Sequence, residues 1–166
     1  SRLTIVADPA ALAATLTERA HPLPADAAVA ALREHWALRP AELTRLATER
    51  DDTFRVDVVG GRRVLLKVAH PADAASTVDA QLAVLADLGL PVSRVAQTVS
   101  GEARIVIDSA DGPRLARVLS WLDGEPWNAR LRTARELRAF GAVQAEFALG
   151  VAGAGRRLPT ALTPTR

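Results

Sequence analysis

The sequence predicts an α+β fold: an antiparallel β-sheet of about five strands with one packed helix, preceded by two helices and followed by a long helix. Three observations point there. Apolar residues recur at helical spacing near both ends of the chain. The middle alternates apolar and polar residues in short runs cut by Gly and Pro turns. One helical stretch interrupts those runs after the third. Consecutive strands joined by short turns pair antiparallel, whereas a parallel sheet needs a crossover between paired strands.

Asp8-Pro9 reads as an N-cap with Pro at the first helical position, and Leu12 and Leu16 carry that helix to about Ala20. The segment His21-Pro22-Leu23-Pro24 breaks the chain. Val29, Leu32 and Trp36 then share one face of a helix over 25–38, which Arg39-Pro40 ends. Residues 43–48 form a short strand, followed by the polar turn Glu49-Arg50-Asp51-Asp52. Over 53–59, Phe54, Val56 and Val58 fall on one face, and Arg55 and Asp57 on the other. Gly60-Gly61 is a two-residue hairpin signal, and the chain returns as a strand over 62–69.

After a loop over 71–76, Val78, Leu82 and Leu85 recur at helical spacing up to a stop at Gly89. Residues 92–99 and 103–108 read as strands joined at Ser100-Gly101, and 114–122 as a further strand after the turn Asp111-Gly112-Pro113. Leu131, Ala134, Leu137, Phe140, Val143 and Phe147 form the stripe of one long helix over 130–149. The tail from Gly150 is rich in Gly, Pro, Thr and Arg. The expected division is an N-terminal helical extension (1–40), a sheet-bearing lobe (41–123), and a linker with the long helix (124–166).

Composition narrows the function. With 166 residues, 49% hydrophobic and 24% charged, the chain can bury a core. No run approaches 18 apolar residues and no basic-then-apolar leader opens the chain, so neither a membrane partner nor secretion is expected. Zero Cys excludes disulfides and thiolate metal sites and agrees with a cytoplasmic setting. The pI of about 10.3 reflects a net charge of only +2 with no Tyr or Cys to titrate below Arg. Acids are interspersed with the arginines and no basic stripe carries aromatics, so no nucleic-acid partner is expected.

Of 21 basic residues, one is Lys: Lys67. It sits in Val64-Leu65-Leu66-Lys67-Val68-Ala69, an apolar strand where an ammonium is costly to bury unless paired. Two readings stay open: an edge strand whose Lys snorkels to water, or a Lys held where a compact ammonium is needed. Asp79 lies on the flank of the next helix's stripe, either solvated or turned toward Lys67.

The loop Glu49-Arg50-Asp51-Asp52-Thr53-Phe54, the Gly60-Gly61 hairpin and Leu65-Leu66-Lys67-Val68 resemble the nucleotide-binding lobe of the aminoglycoside phosphotransferase/choline kinase superfamily. Within it, the resemblance is nearest to the hydroxylysine kinase and homoserine kinase type II branch. Asp79-Ala80-Gln81, Leu88-Gly89-Leu90-Pro91 and the segment Arg117 to Gly124 follow in the same order, so the resemblance covers about residues 35 to 150. It implies a kinase-like N-lobe that binds ATP. It assigns Lys67 to the α- and β-phosphates, Asp79 to orienting it, and Arg50, Asp51, Asp52, Thr53 and Phe54 to the loop over the phosphates. Ser120 and Leu122 match hinge positions facing adenine, with Leu119 and Trp121 packing nearby. Two departures accompany this: the loop has no Gly, and Asp79 is one methylene shorter than the usual Glu.

The family's catalytic loop, His-x-Asp followed four residues later by Asn, is not found in the sequence. None of His21, His35 and His70 opens it, and Asp123 with Asn128 mimics only half. The implied catalytic lobe, with its Mg2+ ligands and its small-molecule alcohol acceptor, is therefore expected outside this chain, as a fragment or a natural truncation would leave it. The alternative is a pseudokinase-like, non-catalytic binding module. Either form should expose the apolar face that meets the second lobe and so favour self-association.

Overall fold

The computed structural model describes residues 20–124 and 131–157. The helix expected near residues 8–20 and the tail after residue 157 lie outside them. The described elements are α1 (Ala25–Trp36), β1 (Pro40–Leu46), β2 (Asp52–Val58), β3 (Arg63–Val68), α2 (Ala75–Asp87), β4 (Val95–Ala96), β5 (Ile105–Ser109), β6 (Gly112–Ser120) and α3 (Ala134–Arg157).

Every strand pairing is antiparallel, in the order β1-β2-β3-β6-β4, with β5 also on β6. Ala116 of β6 pairs Val68 on one side and Ile105 on the other, while Val118 and Leu119 pair β3 on one side and β4 on the other. The segments β4 and β5 therefore lie end to end along one edge of β6. The two strands expected over 92–99 and 103–108 do not form a hairpin with each other. They are one interrupted edge strand, with a tight turn in which Thr98 N–H donates to Glu102 O at 2.8 Å. Val99 N–H donates to His35 O at 2.8 Å, and Arg94 donates to the carbonyls of Leu85, Leu88 and Leu90, so the excursion is tied to both helices' ends.

Strand alternation gives the sheet two apolar faces. Phe54, Val56, Val64, Leu66, Val68, Ala116 and Val118 point to one side and pack under Leu32 and Trp36 of α1. Trp36 Nε1 donates to Ala96 O at 3.0 Å, satisfying the buried indole. Ala69 and Leu119 point to the other side with Leu65 and Leu115, under Val78, Leu82 and Leu85 of α2. Helices thus cover both faces, and only the α2 face carries Lys67.

The local signals act where their geometry is satisfied. Gly60 and Gly61 have φ of +99° and +87°, the positive angles a two-residue hairpin demands. Helix α1 ends two residues before the expected Leu38 because Ala37 adopts a left-handed conformation, φ 51°, and Leu38 N–H closes on Leu32 O at 3.0 Å. Helix α2 stops at Asp87 through an extended Leu88, so Gly89 is not its left-handed cap. Helix α3 starts at Ala134, four residues later than expected. Thr133 and Glu136 form a reciprocal capping box there: Glu136 N–H donates to Thr133 Oγ1 at 3.2 Å, and Thr133 N–H to Glu136 Oε2 at 2.8 Å.

Candidate functional site

Lys67 on β3 lies between two cross-strand neighbours, Thr53 on β2 and Arg117 on β6, so the three side chains share the α2 face in one row. Asp51, just ahead of β2, reaches over this row. One of its carboxylate oxygens, Oδ2, forms an ion pair with Lys67 Nζ at 3.2 Å and accepts from Arg117 Nη2 at 3.3 Å. Gln81 Oε1 of α2 accepts from the same Arg117 nitrogen at 3.3 Å. The Lys67 side chain is 30% exposed, while that of Arg117 is 6% exposed. Lys67 is on a central strand, so the edge-strand reading does not describe it.

Beside this cluster lies a cleft of about 550 Å3 between the sheet and α2, with Phe147 of α3 at its rim. Leu85, Leu88 and Leu119 supply apolar walls; Lys67, Arg117 and Gln81 supply polar groups. Helix α3 closes on α2 here: a Cβ added at Gly150 would come within 2.6 Å of Leu88 Cδ2, so a larger residue there has to displace the end of that side chain.

The structure separates the other expected site residues. Asp79 does not face Lys67. Its carboxylate takes a two-pronged bond from Arg104, at 2.5 Å and 2.9 Å, and lines a different hollow with Leu82 and Arg94. Hydrogen bonding from Arg104 holds the Asp79 carboxyl below its ordinary pKa and raises that of the guanidinium. On a helix, positions 79 and 81 point to nearly opposite sides, so when Gln81 meets the cluster Asp79 cannot.

Alternation also divides the loop residues. Asp51 and Thr53 come to Lys67. Asp52 turns to the α1 side, where it accepts from Leu23 N–H at 2.9 Å, from Arg114 Nη1 at 3.0 Å and from Arg45. Phe54 is 1% exposed in the core, with the Arg45 guanidinium 4.4 Å from its ring centre. Arg50 pairs with Asp73 at 2.7 Å. At the expected hinge position, Ser120 N–H donates to Arg94 O at 2.8 Å and Arg94 N–H to Ser120 Oγ at 2.9 Å, which leaves that N–H committed within the sheet edge. Leu122 is exposed, and Trp121 lines a hollow with Arg62 and Arg94.

Arg117 and Gln81 are the members of the cluster to which the sequence reading gave no role. The signal for Arg117 is the one that singled out Lys67, a cation inside an apolar strand. It is masked by the abundance of arginine, 20 of the 21 basic residues.

Three solved structures share this fold. The structure is similar to a microcompartment-associated aminopropanol kinase, with TM-score 0.61 and 21% identity, covering 75% of this chain and 40% of that one. It is similar to an amicoumacin kinase solved with AMP-PNP, Ca2+ and Ami, with TM-score 0.55 and 17% identity, covering 76% and 36%. It is similar to a spectinomycin phosphotransferase solved with ADP and spectinomycin, with TM-score 0.56 and 11% identity, covering 76% and 38%. At these identities the likeness is one of fold, and the chain spans well under half the length of each neighbour. No curated protein matches the sequence. The sequence pattern of the phosphotransferase enzyme family, APH, matches residues 42–165, and the chain belongs to that family.

Proposed function

We propose that this chain is the ATP-binding N-terminal lobe of a small-molecule phosphotransferase acting on a hydroxyl group. The observation that carries the reading is the placement of Lys67. The only Lys of the chain stands on a central strand and lines the cleft under α2, in a member of a phosphotransferase family. An ammonium has three N–H donors, and Asp51 is its one ion-pair partner among the described residues, so Lys67 can still donate to phosphate oxygens. The apolar walls suit a purine, and the cationic row suits the phosphates.

In this reading Lys67 orients the nucleotide and lowers the electrostatic cost of charge on the transferred phosphoryl group. Asp51 does the work expected of a helix acid: it fixes the ammonium. The division into a helical extension (1–40), a nucleotide lobe (41–123) and a linker with the first helix of a second lobe (124–166) belongs to the same proposal. So does a cytoplasmic setting. The second lobe would supply the base for the acceptor alcohol. Among the described residues no group of three His, Cys, Asp or Glu side chains is placed to hold a metal ion. In this reading the Mg2+ ligands belong to the second lobe, as the family resemblance implies. No described helix is long and apolar enough to cross a membrane.

A non-catalytic binding module is the second reading, favoured by the engagement of Asp79 with Arg104. A thermal-shift titration with Mg-ATP tests the first reading, because a ligand that binds only the folded state raises the melting temperature. A saturable shift that disappears in Lys67→Ala supports a working nucleotide lobe. An absent shift, or one equal in the variant, contradicts it and leaves the second reading.

A further inference from the structure

Thr53 Oγ1 and Arg117 Nη1 are the buried side-chain polar atoms without a hydrogen-bond partner among the described residues. They are not scattered. Thr53 pairs across the strands with Lys67, and Lys67 pairs with Arg117, so the two orphaned atoms flank the only Lys in a single row of three. Buried polar groups in native proteins nearly always have partners, and two exceptions flanking one cation call for a partner from outside the described residues.

The chemistry of the row defines that ligand. Arg117 Nη1 can only donate, Lys67 can only donate, and the Thr53 hydroxyl can donate. The row therefore calls for an acceptor-rich group. Lys67 and Arg117 carry two positive charges against the one negative charge of Asp51, so the group is an anion. Arg117 is 6% exposed, so water does not screen its charge as it would at the surface. Asp51 Oδ2 and Gln81 Oε1 both engage Nη2 of Arg117, and each contact is 3.3 Å long. The planar fork of a guanidinium lets Nη2 stay tethered while Nη1 meets a ligand oxygen, which an ammonium cannot do.

We propose that Arg117 is a second cation of a polyphosphate site, contacting phosphoryl oxygens alongside Lys67. Asp51 is the tether that keeps the two cations side by side, and the Thr53 hydroxyl is a further donor. The inference rests on the reading of the cleft as a nucleotide site and adds to it the residue that grips the phosphates with Lys67.

The test is calorimetric titration of the chain with inorganic tripolyphosphate and, separately, with adenosine. The variants are Arg117→Gln, Arg117→Lys and Lys67→Ala, each checked for fold by circular dichroism. Arg117→Gln is expected to weaken tripolyphosphate about 10- to 100-fold, the loss of one charge-assisted bond. Arg117→Lys, which keeps the charge and loses the fork, is expected to fall in between. Adenosine binding is expected to be unchanged in both. Unchanged tripolyphosphate affinity in either Arg117 variant, with Lys67→Ala weakened, overturns the role of Arg117 and leaves the nucleotide reading standing. A parallel loss of adenosine binding in the Arg117 variants marks a structural role and also overturns it. A wild-type chain that does not bind tripolyphosphate overturns both.

Discussion

Asp52→Ala is predicted to be among the most destabilising single changes in the chain. The Arg114 guanidinium is wholly buried. It donates to Asp52 Oδ2 at 3.0 Å, to Ala69 O at 2.8 Å, to His21 O at 3.1 Å and to Val68 O at 3.3 Å. It thereby ties β2, β3, β6 and the segment before α1 around one charge. Removing Asp52 leaves that charge in the interior with neutral acceptors only. Breaking a buried ion pair from one side costs about 3–5 kcal/mol. The three remaining carbonyls keep the loss near the low end, about 3 kcal/mol, and the Leu23 N–H left without its carboxylate adds about 1 kcal/mol. At a urea dependence of about 2 kcal/mol per M, the midpoint falls by about 2 M. Urea unfolding followed by tryptophan fluorescence measures it. The control is Asp123→Ala, whose exposed pair with Arg63 at 3.0 Å contributes at most about 1 kcal/mol. An Asp52→Ala variant within about 1 kcal/mol of wild type would refute the argument from burial and return Asp52 to the candidates for ligand binding.

Three further outcomes are expected. Ala37→Gly is predicted to stabilise the chain by up to about 1 kcal/mol, because Ala37 has φ 51° and the left-handed cost exceeds the extra chain entropy of Gly; a lower melting temperature would contradict this. The Asp79 carboxyl is held below its ordinary pKa by Arg104. Its stabilising contribution is therefore complete above about pH 4, the unfolded value, and is lost as pH falls through the depressed folded value. A carboxyl 13C titration with a midpoint at or above that of an unfolded Asp would disprove it. Leu137 and Val143 on α3 are 54% and 51% exposed, part of an apolar stripe that in the proposed reading meets a second lobe. Sedimentation should show concentration-dependent self-association that Leu137→Glu and Val143→Glu reduce, and a monomer at all concentrations would contradict it.

Much of the fold was legible in local pattern. Alternation at Phe54, Val56 and Val58, the Gly60-Gly61 hairpin and the α2 stripe each rest on residues adjacent in sequence. The element boundaries that moved depend on contacts the sequence does not display. Ala37 accepts a strained φ because Leu38 N–H finds Leu32 O, and the edge strand breaks into β4 and β5 because its excursion bonds to His35.

The site was legible in its anchor and less so in its partners. Lys67 stood out because it is the only Lys. Which acid would meet it was a question of helix rotation and strand register. Asp79 lay two residues from Gln81 in sequence but nearly half a turn of the helix away. Asp51 and Asp52 are neighbours in sequence, and strand alternation sent one to the Lys67 side and the other to the buried Arg114. Arg117 carried the same signal as Lys67 and was hidden among the other arginines.

The single Lys offers a direct test of the central claim that Lys67 holds nucleotide phosphates. Selective 15N labelling of lysine gives one side-chain ammonium resonance, that of Lys67 Nζ. The account predicts that Mg-ATP moves this resonance saturably, that adenosine does not, and that Asp51→Asn shifts the resonance even without nucleotide, because Asp51 lies 3.2 Å from Nζ. A resonance unmoved by Mg-ATP would contradict the account.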